Sequence, residues 1–319
     1  MDQSRFSTSP PAPGTSGAPA GAVRSSFAQR AIRAVQSRSS RCVSAVLYRI
    51  ARDFVGGESL DDALKVAQRM DGNELNSTLG FWDAPSYTVN DIAAIYYRAV
   101  EGSASSGLDT YISIKPPALH FDLKRARELA HFAMENRVRL HCDSHGADVA
   151  EDTFDFIKAM MEVMDPELIG VTIPCRWQRS VSDTEFAIEH QLNVRLVKGE
   201  WPDSPGQDRD LQVGFMETVE QLSGRARHVA VASHDIDLAL AAVKQLSESG
   251  TSCELELLHG FPMTELIHSA RELNMRPRIY VPFGRGYMPH ALRVFKTNPH
   301  LALWLGKDRL SRLFGKPSA

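Results

Sequence analysis

The 319-residue chain is 43% hydrophobic and 24% charged, with a formal net charge of −3. That balance leaves no electrostatic footprint for nucleic acid, and no apolar run approaches the roughly 18 residues that a membrane helix needs. Cys42, Cys142, Cys175 and Cys253 are scattered without a CxxC pair, which argues for reduced thiols in an intracellular protein rather than a disulfide framework.

The chain opens on STSPPAPGTSGAPAGAVRSS, a stretch that cannot bury enough apolar surface to order itself. Residues 1–40 are expected to be disordered and to stay outside the fold. Between Gln3 and Arg52 there is no Asp or Glu, yet eight arginines fall there. Such a start fits either an organellar transit peptide or a basic tail. The tail is the preferred reading, with a cytoplasmic location expected and a mitochondrial one as the alternative.

A helical lead-in is predicted over 41–75, with FVGGESLDDALKVAQRM placing Leu60, Ala63, Leu64 and Ala67 at helical spacing. Strand-like runs then recur in steady alternation with helical ones. They are NSTLGFW (76–82), TYISIK (110–115), RVRLHCD (137–143), LIGVTIPC (168–175), NVRLVKG (193–199), HVAVASH (228–234), CELELLHG (253–260) and RIYVPFG (278–284). Asp122, Ser182 and Thr264 are candidate N-caps. Eight such units imply an α/β fold, a (β/α)₈ TIM barrel over 76–310 behind the helical lead-in. The open doubly wound alternative would carry a Gly-rich phosphate turn after its first strand, and STLGFWDAP has none.

Chemistry in such barrels sits at the carboxyl ends of the strands. Those ends carry Asp83, Lys115, His141 with Asp143, Arg176, Lys198, His234, His259 and Arg285. The opposite strand ends are expected to lack such a ring. Arg195 and Lys198 raise a question of their own, because an unpaired cation in a core strand costs several kcal/mol. Either they are paired locally or they face a cavity that holds an anion. Lys115, Arg195, Lys198 and Arg293 outnumber the nearby acids Asp143 and Asp235, so an anionic ligand is the expectation.

ISIKPPALHFD, NVRLVKGEW, VAVASHD, CELELLHG and RIYVPFGRGYMPHALRVF together resemble the successive blocks of the proline dehydrogenase family, FAD-dependent barrels that oxidise proline. The resemblance runs over about residues 54–300. It implies Lys115, Tyr280 and Arg293 on the substrate side, with Leu258 as an apolar wall. It implies Arg195, Val197, Lys198, Gly199, Ser233, His234 and His141 around FAD, and hydride transfer from a carbon beside nitrogen to flavin N5. A small amino-acid substrate, a quinone or oxygen as electron acceptor, and possible homo-oligomers follow from the same resemblance.

The departures from the family pattern are specific. Its second consecutive arginine is Val294 here, a nearby glutamate is Thr297, a flavin-contacting glutamine is Pro174, and the aspartate at the end of strand 3 falls at His141, with Asp143 two residues on. An altered shell points to proline itself or to a proline-like or N-substituted amino acid. Two other classes stay open. One is a metal-dependent hydrolase built on His141, Asp143, His145, His234 and His259. The other is a non-catalytic ligand-binding relative.

Overall fold

The computed structural model describes residues 55–289. The tail, most of the lead-in, and Arg293, Val294 and Thr297 lie outside them. The first described helix, α1 (Leu60–Asp71), is started by Ser59, whose hydroxyl caps the Asp62 amide while Asp62 reaches back to the Ser59 amide. Ala63, Val66 and Ala67 form its buried stripe. Leu60 and Leu64 are only partly buried against the core.

Eight strands follow: β1 (Asn76–Phe81), β2 (Thr110–Ile114), β3 (Leu140–Cys142), β4 (Ile169–Pro174), β5 (Asn193–Val197), β6 (His228–Ala232), β7 (Ser252–Leu258) and β8 (Arg278–Phe283). Each pairs in parallel with the next, and β8 returns to β1, so the sheet closes in the order β1 to β8. Every predicted strand is present, and the barrel is the fold. The β1–β8 seam aligns six residue pairs, whereas β3 aligns only three on either side.

The outer ring is α2 (Val89–Ser106), α3 (Leu123–Glu135), α4 (Ala150–Met161), α5 (Ser180–Glu189), α6 (Leu211–Leu222), α7 (Ile236–Glu248) and α8 (Thr264–Glu272). Of the predicted caps, Asp122 caps α3 through the amides of Lys124 and Arg125. Ser182 instead lies inside α5, which begins two residues earlier, and Thr264 is the first residue of α8 with Met263 before it. Aliphatic side chains such as Leu79, Ile112, Leu140, Val194, Val231, Leu255 and Ile279 are fully buried in the core. The other strand residues turn into the barrel, and many of them are polar.

At the amino-terminal end of that interior, Arg278 is only 1% exposed. Its guanidinium donates to Glu254 (2.7 Å), the Asp109 carboxylate (3.0 Å) and the carbonyl of Ser77 (2.7 Å), and stacks 3.4 Å above the Tyr111 ring. His228 approaches Glu254 at 3.3 Å, and Arg139 donates to the Tyr111 hydroxyl. The expectation of a bare opposite end therefore fails. Glu254 stands near the start of β7 and Arg278 is the first residue of β8, and inward positions at these strand starts bring them together.

Candidate active site

At the carboxyl-terminal end lies a cavity of about 640 Å³, lined by residues from all eight strands or the loops that follow them. At its floor, four side chains from alternate strands meet across the barrel axis. Arg195 of β5 donates to both oxygens of Glu256 on β7, at 2.7 and 2.9 Å, and to Asp143, just beyond β3, at 2.8 Å. Thr78 of β1 donates to Glu256 at 2.8 Å. A guanidinium 4% exposed is thus neutralised twice over.

Asp143 is the hub. Its carboxylate accepts from Ser113, from Arg195, and from the Tyr280 hydroxyl at 2.9 Å, and pairs with the Lys115 ammonium at 3.3 Å. Burial alone would raise its pKa, but the charges of Lys115 and Arg195 with the Ser113 hydrogen bond hold it well below the carboxylate range. Burial pushes the Lys115 ammonium down, and Asp143 opposes that push. Lys115 also donates to the Phe81 carbonyl at 2.8 Å and lies 4.5 Å from the Trp82 ring centre. The Tyr280 hydroxyl is raised well above its ordinary value, by burial first and Asp143 second. Tyr280 fits only because Gly80 lies beneath it, where any side chain would strike the phenol.

Arg195 and Lys198 are therefore paired within the protein. Lys198, just beyond β5, forms a bond to Asp235 (2.9 Å) that is about one-third exposed. The expected excess of positive charge does not hold among the described lining residues, where Lys115 and Arg195 face Asp83, Asp143, Glu200 and Glu256. Glu256, an inward position of the alternating CELELL run, supplies a charge that removes the excess.

Lys115, Arg195, Val197, Gly199, Leu258 and Tyr280 all line the cavity. Gly199 adopts φ 95°, and a side chain there would meet Pro174 and Arg176. His141 does not line it. That ring lies buried against Gly170 with Nε2 3.2 Å from the Thr172 hydroxyl, held well below its ordinary pKa by burial and by Arg195, so the carboxylate reaching the cavity from this segment is Asp143. His234 uses both ring nitrogens on the main chain. Nε2 accepts from the Leu258 amide at 2.9 Å, so Nδ1 carries the proton it gives to the Pro262 carbonyl at 3.2 Å. Ser233 accepts from the Asp235 amide. Arg176 clamps the loop after β5, through both oxygens of Asp208 and the carbonyl of Gly199. Cys142, Cys175 and Cys253 are free thiols.

No family model matches the chain. Proline dehydrogenase 1 of Bacillus subtilis (strain 168) is 26% identical over 281 residues, 82% of this chain and 91% of that protein. The proline dehydrogenase of Deinococcus radiodurans is 22% identical over 288 residues, 83% of this chain and 91% of that one. The chain is a divergent relative of the proline dehydrogenases. Among solved structures, proline utilization A of Bdellovibrio bacteriovorus, inactivated by N-propargylglycine, superposes with a TM-score of 0.69 at 19% identity, over 78% of this chain and 32% of that one. Proline utilization A of Bradyrhizobium japonicum gives 0.63 at 18%, over 77% and 30%. The chain spans about a third of those longer proteins, and the likeness to them is one of fold.

In this chain the mouth gathers Lys115, Asp143, Arg195 and Tyr280 around one cavity. Pro174 presents no side chain to the cavity and is buried against the turn where its carbonyl accepts from Ser180. Among the described residues no three His, Cys, Asp or Glu side chains converge as a metal ion would require, so the hydrolase alternative has no cluster to rest on. No helix among them is long and apolar enough to cross a membrane.

Proposed function

We propose that the protein is a flavin-dependent dehydrogenase that oxidises the carbon–nitrogen bond of proline or of a proline-like, N-substituted amino acid. The reading rests on one conjunction. The chain is alike to curated proline dehydrogenases over four-fifths of its length, and its mouth gathers Lys115, Asp143, Arg195 and Tyr280 around one cavity.

The cavity suits an isoalloxazine ring in size and in its apolar strip of Val197, Ala232 and Leu258. Arg195, Val197, Lys198 and Gly199 would hold FAD along β5, and His234 would serve it indirectly by fixing the β7 terminus where Leu258 stands. FAD, when bound, supplies the hydride acceptor that no side chain provides. Arg195 retains its charge at every working pH, because Glu256 and Asp143 more than offset its burial. That fixed charge favours an electron-rich ring beside it. Lys115 and Tyr280 orient the substrate from the side of Asp143, and Asp143 keeps both from drifting into solvent. Arg293, beyond the described residues, is the proposed clamp for the substrate carboxylate, without the second arginine that Val294 replaces.

The first measurement is an absorbance spectrum of the purified full-length protein, followed by anaerobic L-proline. A flavin spectrum that bleaches establishes the proline reading. One that ignores proline but bleaches with an N-substituted analogue establishes the altered-substrate reading. A protein that takes up no FAD on reconstitution sinks both.

A further inference from the structure

A secondary amine at neutral pH carries a proton that must leave before its neighbouring carbon can give up hydride. The mouth contains several groups able to take it, and most are already engaged. Asp143 accepts from Ser113, Arg195 and Tyr280 and is paired with Lys115. Glu256 holds Arg195 and Thr78. Lys115 is itself a donor, to Asp143 and the Phe81 carbonyl.

His145 differs. Its ring lines the cavity, two residues beyond Asp143, and its buried Nδ1 has no hydrogen-bond partner among the described residues. A buried, unsatisfied ring nitrogen carries a desolvation cost that an incoming N–H group removes. Three charged groups act on it, Asp83 after β1, Lys115 after β2 and Asp143 on its own segment, and a main-chain hydrogen bond with Asp143 also favours the charged ring. The two acids favour an imidazolium, Lys115 opposes it, and burial keeps the resting ring neutral. The Asp83 carboxylate also lines the cavity, where its charge acts on both Lys115 and the His145 ring.

We propose that His145 is the proton acceptor for the substrate's secondary ammonium group, an inference that rests on the amine-oxidising function proposed above. One N–H bond of the substrate breaks with its electron pair remaining on nitrogen, and a new N–H bond forms at the imidazole Nδ1. The neutral amine is then competent to lose hydride, and the imidazolium returns the proton to water.

The test compares the wild-type protein with His145→Gln and His145→Asn in anaerobic stopped-flow reduction of the bound flavin. Melting temperature and flavin content are checked first, and the variant that matches the wild type in both is used. At neutral pH the variant is expected to be about 100-fold slower. The gap should close as pH approaches the amine's own value of about 10, because bulk water then supplies neutral substrate. No gap, or a gap that is the same at every pH, overturns the role of His145. A wild-type flavin that no amine reduces overturns the proposed function itself, and is distinguishable because the variants then play no part in the result.

Discussion

The barrel interior holds two buried arginines, one at each end, and they are solved differently. Arg278 at the amino-terminal end is packed on Tyr111 and bonded to Glu254, Asp109 and a carbonyl. Arg195 at the carboxyl-terminal end is bonded as fully, to Glu256 and Asp143, but it forms the floor of a cavity. The same chemistry thus seals one end and furnishes the other. What makes the difference is the company each keeps. Asp143 spends its remaining lone pairs on Lys115 and Tyr280, two side chains that also reach the cavity.

The sharpest way to break this comparison is to remove each arginine. Arg278→Met leaves the buried Glu254 with only His228, and losing one partner of a buried pair costs about 3–5 kcal/mol. A chemical denaturation midpoint should fall accordingly. Arg195→Met should abolish flavin reduction as well, with a stability loss of similar size, because it leaves Glu256, whose side chain is 2% exposed, bonded only to Thr78. Flavin reduction that survives Arg195→Met would mean that this end too is purely structural.

A medium effect is expected from acid. Burial would raise the Glu254 carboxyl, but Arg278 and His228 hold it down at about 2 against an ordinary 4.5. A depressed acid contributes stability above its unfolded value, and that contribution is lost as pH falls from about 4.5 towards about 2. Glu254→Gln should flatten the acid limb of a stability-versus-pH curve in this window, and an unchanged limb would assign the loss to Asp143 instead. The smallest effect belongs to Lys198, whose pair with Asp235 is about one-third exposed. Lys198→Met should shift the melting free energy by less than about 1 kcal/mol. A larger shift would show that this pair is a third structural anchor rather than a surface contact.

Strand positions were legible because branched and apolar runs between turn residues recur at barrel spacing. The capping role of Asp122 was legible too, since its side chain acts within three residues of itself. Ser182 misled because α5 starts at Ser180, whose hydroxyl reaches the Pro174 carbonyl six residues back, a contact set by the β4 turn rather than by local propensity. The partners of Arg195 and Lys198 divide the same way. Asp143 and Asp235 stand at strand ends where a reader of the sequence looks. Glu256 lies in the middle of β7 and meets Arg195 only because closing the barrel brings β5 and β7 face to face across its axis. His145 carried a polar signal in HCDSH, but only the fold reveals that one of its nitrogens is buried without a partner.

The shortest strand also bears the heaviest load. β3 has three residues and three aligned pairs on each side, against six along the β1–β8 seam, yet the carboxylate at its tip gathers four separate groups. Few main-chain bonds resist a local opening there, so the barrel's weakest stave is held in register from above by its own side-chain hub. Neutralising Asp143 would therefore be felt as loosening of amide protection along Leu140–Cys142, well before the rest of the barrel begins to breathe.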